Sequence, residues 1–147
     1  MKILVISDTH NRISDAYAVA QDVPDVTHIL HLGDCISDAE ELAKFLPHIS
    51  VLMVRGNNDF LSDGMDERVL SLCGHTILMT HGHRYGVKTS LDRLAVRAKM
   101  IGADMVLFGH THIKQDEKLD GITFLNPSAR GYIIINEDGT YEFQYYE

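Results

Sequence analysis

Apolar residues come in short unbroken runs through the first two thirds of the chain and in looser runs after it. Lys2-Ile3-Leu4-Val5-Ile6-Ser7 is continuous, as expected of a strand buried on both faces. Ile13, Ala16, Tyr17 and Ala20 then fall on one face of a helix. Thr27 to Leu32 reads as a second buried strand ending at Gly33-Asp34. Ser37-Asp38-Ala39-Glu40 has the form of a capping box, opening a helix with Ala39, Leu42, Ala43 and Leu46 inward and Pro47 as its stop. Val51 to Val54 is a third strand, running into Gly56-Asn57-Asn58-Asp59. Glu67 to Leu72 and His75 to Thr80 flank Cys73-Gly74 as a hairpin. Ser90 is placed to cap a helix with Leu91, Leu94, Ala95, Ala98 and Ile101 on its face and Gly102 as its stop. Asp104 to Phe108, Ile122 to Leu125, Tyr132 to Ile135 and Tyr141 to Tyr145 complete the strands.

Strand and helix alternate first, and strands dominate afterwards. That order predicts an α/β fold with mixed sheets. With 147 residues and no linker, repeat or low-complexity tract, residues 1–147 read as a single domain. The length excludes a complete eight-stranded α/β barrel, which takes about 250 residues. An apolar content of 45% supports a packed core. The formal charge of -8 argues against a nucleic-acid coat, because that affinity rests on Lys and Arg neutralising phosphates. Two cysteines, Cys35 and Cys73, make no disulfide framework and are read as reduced thiols. No run is long enough for a membrane span or a signal-peptide core, so a cytoplasmic location is expected, with no membrane partner.

Nine histidines are more than packing requires, and their positions matter more than their number. The first strand ends at Asp8-Thr9-His10, the second at Gly33-Asp34 and the third at Gly56-Asn57-Asn58-Asp59. The second strand of the hairpin ends at His81-Gly82-His83, and the strand from Asp104 ends at Gly109-His110-Thr111-His112. Taken singly, most of these clusters read as ordinary turns. Five of them, each at a strand end, read as one site, because ligands bind beyond the carboxyl ends of strands in open α/β sheets.

Asp8, His10, Asp34, Asn57, His81, His110 and His112 would offer mixed oxygen and nitrogen donors without thiolate. Such a set suits two divalent first-row metals such as Mn²⁺, Fe²⁺ or Zn²⁺. It is too large for one structural zinc, which takes four ligands and usually includes Cys. Two metals about 3.5–4 Å apart lower the pKa of a shared water and clamp a phosphoryl group.

The ordered series Asp-x-His, Gly-Asp, Gly-Asn-x-Asp, His-Gly-His and Gly-His-Thr-His resembles the calcineurin-like metallophosphoesterase superfamily. The compact length and the Asn126-Pro127 that follows resemble its small phosphodiesterase branch, the YfcE-like proteins. The match runs from Met1 to about Arg130. The resemblance implies a four-layer sandwich of two mixed β-sheets flanked by helices. It also implies a metal-dependent phosphodiesterase in which a hydroxide bridging two divalent ions attacks a small phosphodiester. Mn²⁺ is the preferred ion, with Fe²⁺, Zn²⁺ or Ni²⁺ compatible. Asp8, His10 and His112 would serve one metal, Asn57, His81 and His110 the other, and Asp34 both.

In many members a His follows the metal-binding Asn and assists the leaving group; here that position is Asn58. Asn58 can still donate to the phosphate, and His83 is the candidate for the missing proton donor, its alternative being support for His81. Similar proteins often read Asn-Pro-Gly-Ser where this chain has Asn126-Pro127-Ser128-Ala129-Arg130, leaving the backbone contacts of that turn open. Asp59 is expected to orient the site rather than ligate, and Cys35 to stay out of the ligand set. His31 is expected in the core or behind the ligands, and His28, His48 and His75 to be solvated or structural. Arg84, Lys88 and Arg130 are surface cations able to attract an anionic substrate or to do nothing. The resemblance makes a homodimer or homotetramer reasonable. A protein-interaction scaffold similar to the retromer subunit is the competing reading, and the filled ligand set weighs against it. An amidohydrolase would rest on the His-x-His pair alone and would need a barrel.

Overall fold

The computed structural model describes residues 1–10, 13–59 and 64–146. Ten strands, three α-helices and one 3-10 turn (His83–Tyr85) appear among them, in the order β1 (Lys2–Ile6), α1 (Ile13–Asp22), β2 (Val26–His31), α2 (Ile36–Phe45), β3 (Ser50–Met53), β4 (Glu67–Leu72), β5 (His75–Thr80), the 3-10 turn, α3 (Asp92–Ile101), β6 (Met105–Leu107), β7 (Gln115–Leu119), β8 (Ile122–Asn126), β9 (Gly131–Asn136) and β10 (Tyr141–Tyr145). They form two five-stranded sheets, ordered β10-β9-β1-β2-β3 and β4-β5-β6-β8-β7. In the first, β1, β2 and β3 run parallel, and β9 and β10 join antiparallel. In the second, β5, β6 and β8 run parallel, with β4 and β7 as antiparallel edges.

Strand alternation explains the unbroken apolar runs. Ile3 and Val5 of β1 face the other sheet, meeting Ile77, Met79, Met105, Leu107 and Leu125 in the core between the sheets. Leu4 and Ile6 point the other way, onto Ala16, Ala20 and Leu42 of α1 and α2. Across the molecule Leu78, Val106 and Phe124 pack under Leu94 and Ala98 of α3. Helix, sheet, sheet and helix are therefore stacked in four layers, the sandwich of two mixed sheets flanked by helices that was expected. No described helix is long and apolar enough to cross a membrane.

Two helix starts differ from the sequence reading. Helix α2 begins at Ile36, so Ser37 lies inside it and caps nothing; Cys35 is the N-cap, with a left-handed φ of 65° and no capping side chain. The Ile36 N–H is satisfied instead by Asp59 Oδ1 at 3.0 Å, from the next strand's loop. Helix α3 begins at Asp92 with Leu91 as N-cap, one residue beyond Ser90, whose Oγ accepts only a long 3.4 Å bond from the Asp92 N–H. Strand β7 is absent from the sequence reading because most of it is exposed and carries no apolar pattern. Its position follows from the left-handed pair Asp120-Gly121 (φ 52° and 79°), which folds it back on β8.

Candidate metal centre

All parallel strands deliver their carboxyl ends to one edge of the sandwich. Asp8 follows β1, Asp34 follows β2, Asn57 follows β3, His81 follows β5 and His110 follows β6. The chain turns sharply to present these side chains. Asp8, His10, Asp34, His110 and His112 all have φ between 45° and 70°. Left-handed backbone costs a non-glycine residue about 1–2 kcal/mol, so packing around these turns must hold them. Two glycines permit the close approach. A Cβ on Gly109 would lie 2.1 Å from Ser7 Oγ, and one on Gly56 would lie 2.2 Å from Asp34 Oδ1.

The structure brings all seven predicted ligands together, in two groups that share Asp34. Ligand atoms of Asp8, His10, Asp34 and His112 lie within 4.8 Å of one another. In the second group, Asn57 Oδ1 sits 3.0 Å from His81 Nε2 and 3.1 Å from His110 Nδ1, and His81 Nε2 is 3.6 Å from Asp34 Oδ2. Asp8 and Asp34 are both buried, whereas His10 and His112 of the same group are exposed.

Hydrogen bonding shows which atoms are left over. Asp8 Oδ2 accepts from Ser7 Oγ at 2.5 Å and from the His110 N–H at 3.3 Å. Asp8 Oδ1 is buried and accepts no hydrogen bond, with His112 Nε2 at 3.2 Å and His81 Nε2 at 3.8 Å around it. His81 Nδ1 lies 2.8 Å from the Leu32 carbonyl and donates its proton there. In the neutral ring Nε2 then turns a lone pair toward the Asn57 oxygen, the arrangement a cation resolves. An orphaned carboxylate oxygen, facing lone pairs and an all-oxygen-and-nitrogen donor set fit divalent metal ions.

Asp34 is held as a carboxylate. Burial raises its pKa, but the Asn58 N–H at 3.0 Å, nearby His81 and the Asn58 Nδ2 at 2.9 Å outweigh that, and the net shift is downward. Asn58 thus gives its backbone N–H and one Nδ2 hydrogen to Asp34, and the second Nδ2 hydrogen is not used in these bonds. Burial lowers the pKa of His110, helped by His81 and Lys88; burial likewise lowers that of His83, helped by His81 and Arg84. His83 is half-buried, its ring 5.5 Å from that of His81 and 6.1 Å from that of His110, and its Nδ1 is buried without a hydrogen bond. Arg84 pairs with Asp66 at 3.4 Å.

Behind the ligands lies a supporting network. Asp59 Oδ2 accepts the Asp34 N–H at 2.8 Å and the Gly56 N–H at 2.9 Å, while its Oδ1 caps α2. It orients two ligand-bearing turns through their backbone. Buried His31 accepts the Gly33 N–H on Nδ1 at 3.1 Å and donates from Nε2 to Thr9 Oγ1 at 2.9 Å, and Thr9 in turn donates to Asp38 Oδ2 at 2.6 Å. Burial lowers the His31 pKa to about 4, the surrounding carboxylates only partly opposing it. Cys35 stays outside the metal-type group.

Asn126, Ser7, Thr9 and Asp38 escaped the sequence reading as site residues. Fully buried Asn126 donates from Nδ2 to the Gly109 carbonyl at 3.1 Å and to Thr111 Oγ1 at 3.0 Å, and its Oδ1 accepts the Ser128 N–H at 2.9 Å. It therefore fixes the His110–His112 loop. Its signal was the Asn126-Pro127 pair directly after an apolar run.

The sequence profile described as the calcineurin-like phosphoesterase superfamily domain matches residues 1–140. The probable metallophosphoesterase YsnB of Bacillus subtilis is 37% identical over 130 residues, covering 88% of this chain and 75% of that protein. The phosphodiesterase MJ0936 of Methanocaldococcus jannaschii is 26% identical over 155 residues, covering 90% and 87%. Among solved structures, Vps29 of Entamoeba histolytica complexed with Zn²⁺ superposes with a TM-score of 0.76 at 21% identity, covering 98% of this chain and 97% of that one.

Proposed function

The chain belongs to the calcineurin-like phosphoesterase superfamily, and on that premise we propose that it is a phosphodiesterase hydrolysing small phosphodiesters at a centre of two divalent cations. The observation that carries this reading is the division of the ligands into two groups sharing Asp34, with Asp8 Oδ1 left without a hydrogen bond. Asp8, His10, Asp34 and His112 would hold one ion, and Asp34, Asn57, His81 and His110 the other. Such ions acidify a water and neutralise charge on phosphoryl oxygens.

The chain's own residues do the rest. The Leu32 carbonyl fixes the His81 tautomer. Asn58 and Asp59 set Asp34 from its side chain and its backbone respectively. His83, its ring 5.5 Å from that of His81 and 6.1 Å from that of His110, is the candidate proton donor to the leaving oxygen. MJ0936 is named a phosphodiesterase, which supports diesters as the substrate class. Similarity to Vps29 supports a scaffold as the alternative, and the complete set of donors favours catalysis over it.

The test is hydrolysis of bis(p-nitrophenyl) phosphate and p-nitrophenyl phosphate by protein loaded with Mn²⁺, Zn²⁺ or Ni²⁺. Turnover favouring the diester, and lost in Asp34→Asn, is the expected result. Bound metal with no turnover of either ester would leave the scaffold.

A further inference from the structure

Beside the ligand cluster, on the outer face of the second sheet, lies a groove of about 740 Å³. That volume lies within the range of small-molecule sites. One wall is the segment from Val87 to Asp92 that leads into α3, and the other is β7. Its upper end is closed by Thr111, the residue between His110 and His112, and by Lys88, within electrostatic reach of His110. From there Gln115, Glu117 and Leu119 line it in turn, every second residue of β7. At about 3.3 Å per residue the groove runs roughly 13 Å away from the metal centre.

Its chemistry changes along that length. The cation, Lys88, is at the end near the ligands; Glu117 lies farther along β7, with Leu119 beyond it, and buried Val87 and Leu91 form an apolar floor. An anion is therefore welcome at the upper end and repelled from the lower. Hydroxyl groups can donate to Glu117 or exchange bonds with Thr89 and Ser90, and a flat ring can rest on the apolar floor.

We propose that this groove seats the ester arm that a phosphodiester substrate retains, and that it selects an uncharged, hydroxyl-bearing arm of nucleoside size. Lys88 is the positioning residue for the phosphodiester anion at the mouth, and Glu117 and Leu119 determine specificity for the arm. This rests on the phosphodiesterase reading above.

Two substrates with one leaving group test it: thymidine 5′-(p-nitrophenyl phosphate) and methyl p-nitrophenyl phosphate. In either case a water oxygen bonds to phosphorus, the P–O bond to the nitrophenyl group breaks, p-nitrophenolate leaves and the water proton passes to solvent. The Mn²⁺-loaded protein is expected to show kcat/KM about tenfold or more higher for the thymidine ester, mainly through KM. Glu117→Trp, at an exposed strand position, should abolish that preference, with an unchanged far-UV circular dichroism spectrum and urea midpoint reporting an intact fold. Leu119→Trp should act in the same direction. Independently, thymidine 5′-phosphate added to metal-free protein should shift backbone amide resonances of Lys88 to Leu91 and Gln115 to Leu119, and less so in Glu117→Trp. Equal kcat/KM for both esters, or amide shifts that avoid the groove, overturn the groove proposal and leave the phosphodiesterase reading standing. Groove binding without turnover of either ester overturns the phosphodiesterase reading and leaves the groove as a binding site.

Discussion

Two histidines bracket β5, and their surroundings are built in opposite ways. At the start of the strand His75 Nδ1 meets Asp104 Oδ2 at 2.5 Å and its Nε2 meets the Gly139 carbonyl at 2.9 Å. Asp104 Oδ1 accepts the Thr76 N–H at 2.6 Å. Both ring nitrogens and both carboxylate oxygens have partners, and the cluster ties β5 and β6 to the β9–β10 turn. Past the other end of the strand, His81 stands near Asp8 and Asp34, where one carboxylate oxygen accepts nothing and lone pairs face one another. Residue types are the same at both ends. A saturated His–Asp pair is a structural clamp, whereas an unsaturated buried one marks a place for a cation.

The comparison can be broken most easily at the unsaturated end. Asp34→Asn removes the carboxylate common to both ligand groups. It should lower phosphodiester turnover by about 10³-fold or more, as measured by initial rates at saturating Mn²⁺. Retained activity would mean that Asp34 is no more than a structural carboxylate, like Asp104.

Next in size is Asn126→Ala, which leaves the Gly109 carbonyl and the Ser128 N–H without their buried partner. A cost of about 2 kcal/mol by denaturant unfolding is expected, with turnover down roughly tenfold through the displaced His110–His112 loop. Full stability with lost activity would assign Asn126 to substrate rather than to the loop.

His31 sharpens the contrast by its sign. Its folded pKa of about 4 lies below the ordinary 6.5. Its neutral form is thus the one the fold accepts, and its contribution is complete above about pH 6.5 and is lost as pH falls toward 4. Imidazole NMR titration of the metal-free protein should find its midpoint near 4; a midpoint near 6.5 would contradict a buried neutral link to Thr9.

His75 has the opposite sign and the smallest effect. Burial opposes its charge, but the Asp104 and Gly139 hydrogen bonds prevail and raise its pKa; burial of Asp104 is likewise outweighed by His75 and the Thr76 N–H, lowering its own. The pair contributes fully below the unfolded His value near 6.5 and above the unfolded Asp value near 3.8. It weakens as pH rises through the folded His pKa or falls through the folded Asp pKa. Both groups are partly exposed, so His75→Gln should cost only about 0.5–1 kcal/mol at pH 5.5, and less at pH 8, in urea unfolding.

Legibility in the sequence followed burial. Ile3 to Ile6 announced a strand because both of its faces are covered, and Leu94 and Ala98 announced α3 because one face is. Strand β7 was silent because its outward residues meet water on an open edge. The Ser37 capping box misled because the donor at the start of α2 is satisfied by Asp59, 23 residues away, a partner no local pattern contains. The ligand types were readable at strand ends because metal chemistry restricts them. The left-handed φ of Asp8, Asp34 and His110 was not, since the residue that adopts it is in each case not a glycine. Asn126 acts across 17 residues on the Gly109 carbonyl, so its role appears only once β6 and β8 pair.

The claim that the unsaturated cluster is a metal centre is tested most directly by titrating Mn²⁺ into metal-stripped protein in a calorimeter at pH 7.5. Two ions per chain, with binding lost or reduced to one ion in Asp34→Asn, is the predicted result. Absence of binding, or undiminished binding by Asp34→Asn, would contradict it.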